Sequence, residues 1–249
     1  MKIKHFSCDY TDKTEFPHSS TKESSRSINR DSLYASDQWF YKTNPKADLK
    51  HNKGTSSIFL EKYIYSNIKN FNTALDIGAR VGEWSRPLGM KFKKVISFEP
   101  RIYWCRSFVK NVKLDNVDIY NYGLGSDFSL ANMRGSKVIS LVDSERDRDD
   151  TTVSLAPLDF FNFKKIDFIK IDTNGHELEV LIGAKKTILK NKPLIFIESI
   201  ERKPYFNGKT HVDHCLFLES LGMVRIEKFM QESKNRLHDS LYAWKSDVQ

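Results

Sequence analysis

Cysteine is scarce: Cys8, Cys105 and Cys215 are the only three in 249 residues. An odd, widely separated set with no C-x-x-C pair points to neither a disulfide framework nor a cysteine zinc site, and the three read as reduced bystanders. Long apolar runs are missing too. Nothing approaches the ~20 residues that cross a bilayer, and the opening MKIKHFSCDY has no secretory apolar segment, so the expectation is a soluble, cytoplasmic protein with no membrane partner. Acid is the minority charge, 32 Asp and Glu against 40 Lys and Arg, which leaves a net +8. That surplus fits an anionic partner such as nucleic acid or an acidic glycan, or simply an AT-rich coding sequence. Nucleic acid is the less favoured partner, because no RNP-like aromatic run or basic stripe appears.

Glycine is also sparse, with 11 residues, so two of them four positions apart are informative. Leu75-Asp76-Ile77-Gly78-Ala79-Arg80-Val81-Gly82 is followed about 20 residues later by Val95-Ile96-Ser97-Phe98-Glu99. An apolar strand ends in a glycine turn, a helix begins, and a second apolar strand ends in an acid. Such a turn lets backbone approach a ligand and offers the unpaired N–H groups of a helix start. Glu99, at the carboxyl end of the second strand, is placed to accept hydrogen bonds from both hydroxyls of a ribose. Dinucleotide sites use G-x-G-x-x-G to seat a pyrophosphate, whereas this turn carries an acid, Asp76, at its mouth. An acid there repels phosphate and suits the ammonium and sulfonium of S-adenosylmethionine, which the pattern favours over NAD. The cofactor-binding set is Asp76, Gly78, Arg80, Gly82, Glu99, Pro100, Tyr122 and Gly123, with the Tyr122 ring expected to stack on the adenine.

A second block is Ile166-Asp167-Phe168-Ile169-Lys170-Ile171-Asp172-Thr173-Asn174-Gly175-His176-Glu177, continuing through a Leu-rich stretch to Gly183-Ala184. It resembles the signature of the FkbM-type methyltransferases: an apolar strand with a penultimate Lys, then Asp-x-Glu-Gly-x-Glu, then a Leu-rich helix ending in Gly-Ala. Val153 to Asp159 and Pro193 to Glu198 resemble further segments of that family in the right order, and the likeness spans Thr73 to Ser199. It implies an S-adenosylmethionine-dependent O-methyltransferase acting on a sugar or other small polyol hydroxyl. Arg80 stands where the family usually has Asn, and Asn174 where it usually has Glu. The first sets a cation beside the cofactor's carboxylate; the second removes an acid from the active-site rim.

Short apolar runs at 73–77, 94–98, 117–121, 166–171 and 193–198 alternate with helical stretches near 83–92, 102–113, 176–190 and 211–221, which predicts a parallel sheet covered by helices on both faces. Two alternating strands, Met223 to Phe229 and Leu241 to Trp244, match an antiparallel closing hairpin. Together these give an α/β, Rossmann-like class I methyltransferase fold with a mostly parallel seven-stranded sheet. Residues 1–54 read as a polar, partly irregular extension whose Trp39-Phe40-Tyr41 cluster should dock on the domain formed by 55–249. Ile58, Phe59, Tyr63 and Ile64 predict a helix over 55–70 that covers the cofactor side. The interval 122–157 reads as a β-hairpin excursion tipped by the charged Asp147 to Asp150.

In an open α/β sheet the ligand lies beyond the carboxyl ends of the strands, at the switch in strand order. Methyl transfer from a sulfonium chiefly needs an in-line acceptor and, for a hydroxyl, a base. Asp172, His176 and Glu198 are the catalytic candidates, His176 as a base titrating near neutral pH at the rim. Asp172 with Glu198 and Asn174 would make at most a weak, substrate-assisted metal site, so no metal is assigned. Lys170 lies in a strand buried on both faces and must be paired, with Asp172 two residues on or with Glu198. Two other readings stand beside this one. An RNA ribose 2′-O-methyltransferase would use Lys170 and Asp172, and a non-catalytic S-adenosylmethionine-binding module would follow from Asn174.

Overall fold

The computed structural model describes residues 59–134, 137–139, 151–200, 211–230 and 237–248. The expected N-terminal extension, its aromatic cluster and the charged tip at 147–150 lie outside the described residues. In chain order the strands are β1 (Thr73–Ile77), β2 (Lys94–Phe98), β3 (Val117–Tyr120), β4 (Gly123–Leu124), β5 (Ser129–Arg134), β6 (Lys137–Ile139), β7 (Thr151–Ala156), β8 (Ile166–Ile171), β9 (Leu194–Ile200), β10 (Met223–Met230) and β11 (Leu237–Trp244). The α-helices are α1 (Ser85–Lys91), α2 (Ile102–Asn111), α3 (Glu177–Gly183), α4 (Lys185–Asn191) and α5 (His211–Ser220).

Seven strands form the main sheet in the order β10-β11-β9-β8-β1-β2-β3. All pairings are parallel except those that β11 makes with β9 and β10. Alternation along each strand divides the apolar residues between two cores, as a sheet covered on both faces requires. Leu75, Ile77, Ile169, Ile171, Ile195 and Ile197 face one core, which α3 and α5 close with Val180, Leu181 and Leu218. Ala74, Val95, Phe168, Phe196 and Leu241 face the other, closed by Leu60, Ile64 and the α1 residue Leu88. Among the described residues no helix is long and apolar enough to cross a membrane.

Three elements differ from the sequence-based expectation. Instead of a regular helix over 55–70, the described part is a π-helical turn at Leu60–Ile64 and a 3-10 turn at Tyr65–Asn67, ending where Ile68 turns extended. Leu60 and Ile64 still bury their side chains, and Phe59 packs edge-on against Phe196 and Trp84. The helix expected over 176–190 is split at Ala184, because the Asp159 carboxylate accepts from the Lys186 and Thr187 amides (3.0 and 2.7 Å) and so starts a new helix there. The 122–157 excursion is more than a hairpin: β4, β7, β5 and β6 form a separate four-stranded sheet in which β4 pairs with β7 in parallel.

Candidate active site

Successive strands β1, β2 and β3 run outward in one direction, while β8 lies on the opposite side of β1. The strand order therefore reverses at β1, and the crevice beyond the carboxyl ends of β1 and β8 is the ligand position of such a sheet. Gly78 and Gly82, at φ +79° and +94°, shape the turn that leaves β1. A Cβ on Gly78 would lie 1.9 Å from the Asp172 carbonyl oxygen, and one on Gly82 would lie 2.3 Å from Val112. The close approach that demands glycine is thus to the protein's own chain, where a ligand was expected. Gly78 lets the ends of β1 and β8 touch, a contact the Asp172 amide completes by donating to the Ile77 carbonyl (3.1 Å).

On one side of the crevice stands Glu99, just past β2 and 6% exposed. Its Oε2 accepts from the Arg80 amide (3.0 Å) and its Oε1 from the Arg101 amide (2.8 Å). Burial pushes this carboxyl up to about 7, against the opposing pull of those two amides and of the Arg101 and Lys170 charges. Arg80 takes a left-handed conformation (φ 51°) with its guanidinium 4.6 Å over the Trp104 ring and 3.8 Å from Glu83. Asn121, just past β3, donates to the Glu99 and Pro100 carbonyls and so pins the loop that carries both residues. Gly123 opens β4 beside Pro100 and Leu155. Tyr122 is half-buried and packs against the core, with its ring edge-on to Phe161 at 6.4 Å.

Asp76 requires a correction. The sequence places its charge at the turn's mouth, facing the cofactor's cationic end, yet the side chain is fully enclosed. Its Oδ2 accepts from Ser85 at 2.5 Å, Ser85 lies 2.9 Å from Ser97, and Oδ1 is 3.3 Å from the Lys170 ammonium. The physical reason is register: Asp76 sits beside Ser97 on β2 and beside Lys170 on β8, on the same sheet face. Lys170 also donates to the Gly78 carbonyl (3.0 Å) and lies 3.5 Å from Asp172. Burial alone would lower the Lys170 pKa, but Asp172 and Asp76 outweigh it and hold the ammonium protonated.

Across the crevice Asp172 is partly exposed, and Glu198 lies beside it near the carboxyl end of β9. Burial, followed by the charges of Asp172, Glu177 and Asp239, raises the Glu198 carboxyl well above the ordinary range. His176 lies apart from this pair. It is 3% exposed, and burial depresses its imidazole to about 4, so it is neither at the rim nor titrating near neutral pH. The helix begins at Glu177, one residue later than expected, which leaves His176 as the residue that precedes it and turns it under β4, close to Gly125.

Two site residues are absent from the sequence reading's set. Glu177, fully buried, accepts from the Thr173 amide and hydroxyl and from the Gly175 amide, fixing the loop between β8 and α3. The last acid of the FkbM-like motif was its signal. Asn174 at φ 57° and Gly175 at φ 108° make the left-handed bend of that loop, a conformation Asn tolerates better than most residues. Ser97 is the other, signalled by a hydroxyl inside the otherwise apolar Val95-Ile96-Ser97-Phe98 strand. Among the described residues no three His, Cys, Asp or Glu side chains converge so as to hold a metal ion.

Comparison with known proteins agrees with this layout. No curated protein sequence matches the chain. Among solved structures, the methyltransferase FkbM of Methylobacillus flagellatus KT is similar over 79% of this chain at 15% identity and a TM-score of 0.51. This chain spans about half, 53%, of that protein's length. The yhhF protein of Escherichia coli, described as a methyltransferase, is similar over 91% of this chain and all of its own at 10% identity and a TM-score of 0.51. At such identities these likenesses establish the class I methyltransferase fold and nothing finer. The sequence itself goes further: the model of the methyltransferase FkbM domain matches residues 76–224, from the acid of the glycine turn into β10, and the chain belongs to that family.

Proposed function

We propose that the protein is an S-adenosylmethionine-dependent methyltransferase that methylates a hydroxyl of a sugar or small polyol. The observation that carries this reading is the partly exposed Asp172 just past β8, beside Glu198 of the neighbouring strand, with Glu99 just past β2 on the other side of the switch point. The donor set around Glu99 suits the cofactor. A carboxylate held by two backbone amides keeps lone pairs for a ribose diol, and no phosphate-seating G-x-G-x-x-G accompanies it. S-adenosylmethionine supplies an electrophilic methyl group on a sulfonium, itself a good leaving group.

The residues then have simple tasks. Glu99 orients the ribose, while the turn at 78–82 and the Asn121-pinned loop line its surroundings. Asp172 would accept the proton of the acceptor's hydroxyl as that oxygen is methylated. Glu198 sets a second carboxyl beside Asp172 on the acceptor side, and a positioned base of this kind is worth about 10²- to 10⁴-fold. His176, enclosed and neutral, takes no part.

The test is mass spectrometry of small molecules that copurify with the protein, then transfer of tritiated methyl groups from S-adenosylmethionine to host glycan and RNA pools. Label in glycan or polyol fractions supports the proposal. Label confined to RNA replaces the acceptor class, and tight cofactor binding without transfer to any pool identifies a non-catalytic module.

A further inference from the structure

The buried Lys170 has no part in the chemistry above, although it touches both halves of the site. It is 2% exposed, and three acceptors surround its ammonium: the Gly78 carbonyl at 3.0 Å, Asp76 Oδ1 at 3.3 Å and Asp172 Oδ2 at 3.5 Å. The Trp84 ring closes a further side at 6.0 Å. The ammonium donates a hydrogen bond to the Gly78 carbonyl and forms ion pairs with the two carboxylates. One of these acceptors cannot readily yield: Asp76 is fully enclosed with its other oxygen held by Ser85. The third, Asp172, is the partly exposed member and the longest contact.

From this geometry we infer that Lys170 is a positioning residue that ties the cofactor turn to the acceptor-side acid, so that a ligand seated on the Gly78–Gly82 turn orders Asp172 and the loop behind it. The inference rests on the cofactor reading given above and adds a mechanical consequence to it. A ligand that shifts the Gly78 carbonyl shifts the ammonium, and Asp172 is the partner free to follow. Beyond Asp172 the charged groups facing this line are Glu198, Glu177 and Asp239. Of these, Glu177 holds the Thr173 and Gly175 amides, which makes those amides reporters of the loop.

The experiment is amide hydrogen exchange of the full chain with and without saturating S-adenosylhomocysteine. Lys170→Met alone would strand Asp76 as a buried unpaired charge, so it is combined with Asp76→Asn. In the unmodified protein the ligand should slow exchange at least tenfold both at 78–82 and at 173–175. In the double variant protection should persist at 78–82 and fall below twofold at 173–175. A purely structural Lys170 would speed exchange equally in free and bound protein and leave the ratio unchanged, and an unchanged ratio overturns the inference. Should the double variant fail to fold, Asp172→Asn cuts the same bridge at its far end and should give the same loss at 173–175. Absence of any binding by the unmodified protein overturns the cofactor reading along with this one, whereas protection confined to 78–82 in the unmodified protein overturns the coupling alone.

Discussion

Glu99 gives the sharpest quantitative expectation. Its carboxyl is raised from 4.5 to about 7, chiefly by burial. At 1.36 kcal/mol for each unit, keeping this group ionised in the native protein costs on the order of 3 kcal/mol relative to the unfolded chain. The sign follows from proton counting. Between pH 4.5 and 7 the native protein holds a proton on Glu99 that the unfolded chain has released, so stability falls as pH rises through that window and is flat beyond it. Ribose hydroxyls donate to the ionised carboxylate, so cofactor binding has the opposite preference and strengthens as Glu99 ionises. S-adenosylhomocysteine should therefore bind about tenfold more weakly at pH 6 than at pH 8, and binding at pH 6 should release close to one proton. Titration calorimetry in two buffers of different ionisation enthalpy measures both. Glu99→Gln should flatten the pH dependence, and Glu99→Ala should cost a few kcal/mol of affinity, the scale of losing hydrogen bonds to a charged group. Equal affinity at pH 6 and 8 in the unmodified protein, or the same slope in Glu99→Gln, would refute the reasoning.

Asp172→Asn should leave S-adenosylhomocysteine affinity within a few-fold of the original but lower turnover by about 10²-fold or more; retained turnover would reduce Asp172 to a partner of Lys170. Transfer activity should survive exhaustive EDTA treatment, since proton removal is given to a carboxylate, and loss that Mg²⁺ restores would reverse that choice. Ser85→Ala removes the donor to Asp76 and the partner of Ser97, leaving buried polar atoms unmatched at a cost of about 1–3 kcal/mol. A denaturant midpoint equal to the original would show that the hydroxyl pair contributes nothing.

What the sequence made legible was whatever depends on one strand or one turn. The runs at 73–77, 94–98 and 166–171 recur as β1, β2 and β8 with identical bounds, because strands buried on both faces read as short unbroken apolar stretches. Asp172 and Glu198 fall on neighbouring strands as the order of apolar runs implied, although β9 continues two residues past Glu198. The requirement that Lys170 be paired was likewise plain, and one partner, Asp172, was named. Its second partner was not, because the meeting of Asp76 and Lys170 depends on the register of β1 against β8, strands more than ninety residues apart in the chain. Register across such a gap leaves no local trace. His176 was misjudged because its enclosure comes from the packing of the loop around Gly125 over it, a contact between segments about fifty residues apart that no local pattern records. The parallel pairing of β4 with β7 was beyond reach because two residues of strand carry no periodicity to read.

The place of β11 bears on how the protein reaches its native state. This strand follows β9 and β10 in the chain but lies between them in the sheet. During synthesis β9 therefore emerges with Ile195 and Ile197 on one face, Phe196 on the other, and one edge of its backbone still unsatisfied. Such an edge is a template for pairing with another nascent chain. Closure waits for Leu241 and Tyr242, which sit opposite Phe196 and Ile195. Asp239 arrives opposite Glu198 in the same step, so the acidic end of the crevice acquires its full charge only when the sheet is sealed. Chaperone demand should accordingly be concentrated in the interval between the emergence of β9 and that of β11, and a ribosome-stalled chain ending before residue 237 should be far more prone to aggregate than one that extends through 244.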